Sequence, residues 1–418
     1  MTLFCKNGRS DSLTVAGRLL GSRTVTVTVE DGVIVRIEPG GSDRHVLAPA
    51  FIDPHVHLRT PGREDEETIA SGTAAAAAGG YCAILAMPNT DPVVDSAPVL
   101  RGLAETARRE AVVPVGFMAA ISRSLGGDEL TEMGELADAG AAAFTDDGRP
   151  VVSAALVRRA LQYGAVTGRP LALHCEEPTL TRDAHVHEGA VSAELGLTGY
   201  PSVAESSMVE RDLALAAYEE RPLHLMHLSA RESVDALRRA RDAGVQATGE
   251  VTPHHLVLTD DAVRSFDPNT KMNPPLRAAR DRTALVEALR DGTISCVATD
   301  HAPHSREEKD VPFEAAPFGV TGLETAFASL YTHLVEPGLL SLETLLERMS
   351  GGPARAFGLP EPALEVGVRA NLVVLDLDAE WTVTEEGFRS RSVNSWLLGE
   401  RLLGVVVQTV ADGRVVHG

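Results

Sequence analysis

From residue 49 onward the chain alternates short apolar segments with alanine-rich or amphipathic stretches, and this alternation constrains the fold more than any other feature. An apolar run of about four to eight residues bounded by polar turns reads as a strand buried on both faces. The stretch after it reads as the helix that covers the strand, so the repeated unit builds parallel strands joined by helical crossovers. The apolar segments end near Ile52, Ala86, Met118, Phe144, Leu173, Met226, Val251 and Thr299. Eight units in about 300 residues match a closed (β/α)8 TIM barrel, which takes about 250 residues plus insertions. Helices are expected over 64–78, closing on Gly79-Gly80, over 97–111, over 128–139 before Gly140, and over 231–243 before Gly244.

The two ends follow a different grammar. Thr24-Val25-Thr26-Val27-Thr28-Val29, then Asp31-Gly32, then Val33-Ile34-Val35 is a two-strand pattern across a turn. The carboxyl end repeats it over 371–377 and 405–410, with Asp412-Gly413 leading into Val415-Val416. The expected architecture is therefore α/β. A barrel over 49–358 is inserted between the two halves, 1–48 and 359–418, of a small β-sandwich domain built from both termini.

Strand ends carry the chemistry of a barrel of this kind. The first gives His55, His57 and Arg59, which share a face because side chains alternate along a strand. The second gives Asn89, the fourth Asp146-Asp147-Gly148, the fifth His174, the sixth His227 and the eighth Asp300. Four histidines and two aspartates around one rim would suffice for two metal ions sharing one carboxylate. A second His-x-His, His185-Val186-His187, lies among Thr181, Arg182, Asp183 and Glu188 with no apolar strand leading into it, and is expected to be an exposed loop pair.

The formal net charge of -21 over 418 residues argues against a nucleic-acid or anionic-membrane partner, either of which calls for a basic footprint. Any anionic substrate must then be drawn by local cations such as Arg59. Cys5, Cys82, Cys175 and Cys296 show no C-x-x-C spacing and read as reduced core thiols. Residues 1–10 lack the profile of a signal peptide, and no apolar run approaches the ~20 residues of a membrane span, so a cytoplasmic location is expected.

Eight segments carry a family resemblance, in order, through nearly the whole chain. They are Asp53-Pro54-His55-Val56-His57-Leu58-Arg59, Met87-Pro88-Asn89-Thr90, Phe144-Thr145-Asp146-Asp147-Gly148 and Leu173-His174-Cys175-Glu176. Then come His227-Leu228-Ser229, Glu250-Val251-Thr252-Pro253-His254-His255, Lys271-Met272-Asn273-Pro274-Pro275-Leu276-Arg277 and Ala298-Thr299-Asp300-His301-Ala302-Pro303-His304. In them the chain resembles the amidohydrolase superfamily and, within it, the bacterial dihydroorotase family of pyrimidine biosynthesis.

The resemblance implies two zinc ions (Zn2+) per subunit, one held by His55, His57 and Asp300 and the other by His174 and His227. Asp147 is the implied bridging carboxylate, with Asp146 the neighbouring candidate. For substrate the resemblance points to His57, Arg59, Asn89, Asn273, His304 and the Phe318-Gly319 backbone. The implied reaction is the reversible cyclisation of N-carbamoyl-L-aspartate to L-dihydroorotate. A hydroxide shared by the metals would attack the ring amide, and Asp300, as the catalytic residue, would shuttle the proton. Arg149-Pro150 departs from the smaller, glycine-containing run of known relatives. His254 and His255 match the motif and are read as structural, because the metal positions are already filled.

Other cyclic amidases of the superfamily, the hydantoinases, dihydropyrimidinases and allantoinases, are the nearest rivals. They typically bridge their metals with a carbamylated lysine at the end of strand four, whereas this chain has only Lys6, Lys271 and Lys309, none of them there. Arg59 with Asn89 also favours a substrate that carries a carboxylate. A non-catalytic scaffold for aspartate transcarbamoylase is a rival of another class, but such chains lose metal ligands and all six are present here. The expected partners are a small-molecule substrate, a second copy in a homodimer as the commonest closed assembly, and aspartate transcarbamoylase. The charged, proline-containing segment 305–318 is expected to close over substrate.

Overall fold

The computed structural model describes residues 2–6, 12–21 and 23–418. Four strands come first: β1 (Leu13–Arg18), β2 (Thr24–Glu30), β3 (Val33–Pro39) and β4 (Val46–Pro49). β2 and β3 pair antiparallel across Asp31-Gly32, whose φ values of 50° and 79° are those a tight hairpin turn demands. After Ala50 the chain enters β5 (Phe51–Val56), then β6 (Tyr81–Ala86), β7 (Val115–Phe117) and β8 (Leu171–Leu173). A two-residue pair follows, β9 (Val186–His187) and β10 (Gly199–Tyr200), then β11 (Leu223–Leu225), β12 (Ala247–Val251) and β13 (Cys296–Val297). The chain closes with β14 (Leu372–Thr382), β15 (Arg401–Ala411) and β16 (Arg414–His417).

The central strands pair with one another in parallel. β5, β6 and β7 form one sheet and β8, β11, β12 and β13 another. Single parallel bridges join them, Ala119 to Phe144 to Leu171 on one side and Val56 to His301 on the other, so the pairings run in a circuit. The fourth position, expected as a strand ending at Phe144, is reduced to that one residue, bridged to Ala119 on one side and to Leu171 on the other. Just beyond it, the Asp146 carboxylate accepts the main-chain N–H groups of Ile121 and Ser122, at 2.8 and 3.0 Å.

Helix boundaries shift where side chains have other work. The first helix runs Ile69–Ala78 rather than from 64, because the Thr68 hydroxyl caps the Ser71 N–H while Glu66 and Glu67 turn inward and are buried. The third runs Met133–Ala139 rather than from 128. Ala97–Glu110 and Arg231–Asp242 lie within a residue of expectation.

The terminal strands do not divide into the two sheets of a sandwich. They form one seven-stranded sheet in the order β16-β15-β14-β4-β1-β2-β3. β4 is the joint, parallel to β1 on one side and antiparallel to β14 on the other. The sheet coils far enough that Val33 bridges Arg369 and the Ala370 N–H bonds to the Gly32 carbonyl at 2.9 Å. Val25, Val27, Val29 and Ile34 thereby pack with Leu372, Val374 and Val410 in a core of their own. Cys82, Cys175 and Cys296 are buried, whereas Cys5 is half-buried, and all four are free thiols.

Candidate metal centre

His55 and His57 leave the end of β5 on one side, as alternation requires, with ring centroids 5.3 Å apart. Arg59 reaches the same cleft by another route. The strand stops at Val56 and Arg59 adopts a left-handed conformation, φ 57°, which corrects the expectation that strand alternation alone aims it. His227 at φ 30° and Asp300 at φ 48° share that region. Each such non-glycine residue costs on the order of 1 kcal/mol, and strain of this kind concentrates at functional sites.

Asp147 lies between two pairs of histidines. Its Oδ2 is 3.5 Å from His55 Nε2 and 3.4 Å from His57 Nε2, and its Oδ1 is 3.6 Å from His174 Nδ1 and 3.5 Å from His227 Nε2. Asp300 Oδ1 stands 3.4 Å from His55 Nε2 and 3.1 Å from His57 Nε2. Asp146 faces away, its carboxylate occupied by Ser122 and Ile121, and burial lifts its pKa to about 6.

The donors fit divalent metal ions. His55 Nε2 is buried with no hydrogen-bond partner, and His174 Nδ1 and His227 Nε2 confront each other at 2.8 Å, two ring nitrogens aimed at one carboxylate. His55, His57 and Asp300 present ligand atoms within 4.8 Å of one another, as do His55, Asp147 and His227. Imidazole and carboxylate in this number suit zinc.

A further layer of buried groups, not anticipated from sequence, holds these donors in place. Glu250 Oε1 sits 2.7 Å from His55 Nδ1, its Oε2 3.0 Å from His224 Nε2, and it accepts the His227 N–H at 3.2 Å. Burial would raise the Glu250 carboxyl, yet His55 and His224 hold it down at about 2. Glu176 Oε2 takes His174 Nε2 and Asn273 Nδ2, each at 3.0 Å. Burial would lower His174, but Asp147 and Glu176 beside it lift its pKa to about 10. Asp53 ties the first strand end to the last, accepting the Thr299 N–H and hydroxyl and the His55 N–H. A signal existed, since Glu250 and His224 are ionisable residues inside apolar strands, where such groups are rarely buried unless partnered.

The residues expected to meet substrate line one cleft of about 370 Å³, which also holds Asp147, His174, His227 and Asp300, while His55 lies beneath. Asn89 Oδ1 is 2.9 Å from His57 Nδ1. The Arg59 guanidinium is fixed by the Pro303 carbonyl at 3.1 Å and Glu66 at 3.2 Å. His304 contacts Glu66 at 3.0 Å through Nδ1 and the Phe318 carbonyl at 2.8 Å through Nε2. His254 and His255 are buried, and Thr252 and the Pro274 carbonyl engage His255.

His185-Val186-His187 is not an exposed loop pair. Val186 and His187 form β9, paired with β10, and His187 is buried with Nδ1 3.2 Å from Arg277 Nη1. Its cover comes from residues 199–200, which no local reading of 181–188 could supply.

A family profile described as Dihydro-orotase-like matches residues 44–233. The chain is 46% identical over 427 residues to a dihydroorotase of Anaeromyxobacter dehalogenans, covering 99% of this chain and 98% of that one. It is 42% identical to a dihydroorotase of Caldanaerobacter subterraneus subsp. tengcongensis, over 93% and 89% of the two chains. Among solved structures, the L-hydantoinase (dihydropyrimidinase) of Arthrobacter aurescens superposes with a TM-score of 0.85 at 26% identity, over 96% of this chain and 94% of that one. A dihydropyrimidinase from Brevibacillus agri superposes at 0.82 with 22% identity, over 97% and 95%, a likeness of fold.

Proposed function

The chain belongs to the dihydroorotase family, and from that membership we propose that it interconverts N-carbamoyl-L-aspartate and L-dihydroorotate with two zinc ions bound. It is a hydrolase acting on cyclic amides. The observation that carries the metal reading is the Asp147 carboxylate, with one oxygen turned to each histidine pair. His55, His57 and Asp300 would hold one ion, His174 and His227 the other, and Asp147 would bridge them. When bound, the ions supply Lewis acidity toward the ring amide carbonyl and a nucleophilic water at neutral pH.

The protein's own groups do the rest. Burial would raise the Asp300 carboxyl, but His55, His57 and His227 hold it well below the usual carboxylate range. It is ionised at neutral pH, free to accept the proton of the attacking water and return it to the departing ring nitrogen. Arg59 and Asn89 take the substrate carboxylate that does not react, a task suited to a planar guanidinium already oriented by Glu66 and Pro303. On the same reading the parallel circuit is a closed (β/α)8 barrel with the terminal sheet as its companion. The protein would work in the cytoplasm, and among the described residues no helix is long and apolar enough to cross a membrane.

The structural likeness to hydantoinases sustains a second reading, a cyclic amidase for uncharged rings. Turnover of dihydroorotate and carbamoyl aspartate, assayed beside hydantoin, dihydrouracil and allantoin, separates the two. We expect activity on the carboxylate-bearing pair, and activity confined to the uncharged rings would overturn the assignment.

A further inference from the structure

Two of the three lysines are buried beside the cleft, Lys271 with 2% and Lys309 with 7% of its surface exposed. Neither forms an ion pair among the described residues. Each ammonium donates instead to two main-chain carbonyls: Lys271 Nζ to Phe313 and Glu314, both at 2.9 Å, and Lys309 Nζ to Pro268 at 3.0 Å and Pro317 at 2.9 Å. The arrangement is reciprocal. Lys271, from the segment 268–274, reaches into the segment 305–319, and Lys309, from the latter, reaches back to Pro268. Lys271 Nζ also lies 4.9 Å from the Phe318 ring centroid, and the Gly319 N–H bonds to the Lys271 carbonyl at 2.9 Å.

Burying an ammonium that has no ion pair is costly, enough that burial lowers the Lys271 pKa to about 8 and that of Lys309 to about 7, and an apolar side chain would fill the space at less expense. What a charge adds is a stronger, directional bond. The two stapled segments carry facing parts of the cleft: Asn273 on one, and Phe318-Gly319, with the Phe318 carbonyl on His304, on the other. We propose that Lys271 and Lys309 are positioning residues that lock 305–319 against 268–274 and so fix the span between Asn273 and Phe318-Gly319 before substrate arrives. Segment 305–319 is then a fixed wall of the cleft rather than a lid. This rests on the dihydroorotase reading of the site.

The test compares wild-type protein with Lys309→Met. We expect KM for dihydroorotate to rise about tenfold or more with kcat within about threefold. Zinc content stays unchanged, and amide hydrogen exchange accelerates in 305–319. Ethylamine added to Lys309→Ala should lower KM again, which a general loss of structure would not allow. An unaltered KM, or kcat and zinc falling together, would overturn the proposal. Should Lys309→Met not fold, Lys309→Gln is measured in the same way. If the wild type itself does not turn over dihydroorotate, the family reading fails, and the staple is judged by hydrogen exchange alone: protection of 305–319 unchanged by the substitution disproves it.

Discussion

At the scale of single residues, the centre is organised by what each carboxylate faces. Asp146 and Asp147 are adjacent, yet one caps backbone N–H groups and the other meets four imidazoles, so their roles follow from direction and not from type. Asp300→Ala should keep much of its zinc while kcat falls by roughly 10²–10⁴-fold, the usual worth of a positioned proton carrier. Metal analysis beside steady-state kinetics checks this, and a near-normal kcat would remove the proton-transfer role. Glu250→Gln leaves a neutral group against His55 and His224 and should weaken zinc binding about 10–100-fold. Competition with a chromogenic chelator measures it, and equal affinity in both proteins would show that Glu250 does not support the site.

At the scale of elements, strand ends place the donors, but several positions depend on partners that arrive from far along the chain. β9 is a two-residue strand because β10 pairs with it, and the pair buries His187 against Arg277. Burial, followed by the Arg277 charge, lowers the His187 pKa from 6.5 to about 4. Between those values the unfolded chain takes up the proton first. The His187 contribution to stability is therefore intact above about pH 6.5 and is lost progressively as pH falls toward about 4. His187→Gln should flatten that part of the stability profile. Urea midpoints across the window would test it, and identical acid limbs would show that another group titrates there.

At the scale of the molecule, the net charge of -21 is set against a centre that gathers Asp147, Asp300 and Glu250 within the parallel circuit. Bound zinc would offset part of that negative charge, so folding and metal binding should be linked. A ligand present at about a thousand times its Kd stabilises the native state by about 4 kcal/mol per site. Chelation should therefore lower Tm and abolish turnover together, with added zinc restoring both. A chelated protein of unchanged Tm would show that the fold does not depend on the ions.

The order of strands and helices was legible in the sequence because each element carries its own period and its own punctuation. The rim residues were legible for the same reason: a strand end is a local event, and His55, His57, His174, His227 and Asp300 each follow an apolar run. Asp147 as bridge came from family likeness and Arg59 from strand alternation, while geometry separated Asp147 from Asp146 and gave Arg59 its left-handed turn. Only the tertiary structure decided the rest. Glu250 meets His55 across 195 positions, β4 makes one sheet of both termini, and Lys271 and Lys309 find carbonyls on each other's segments. A side chain's own neighbours in sequence set its secondary structure, but the partner that neutralises or buries it is chosen by which distant segment the fold brings within hydrogen-bond reach.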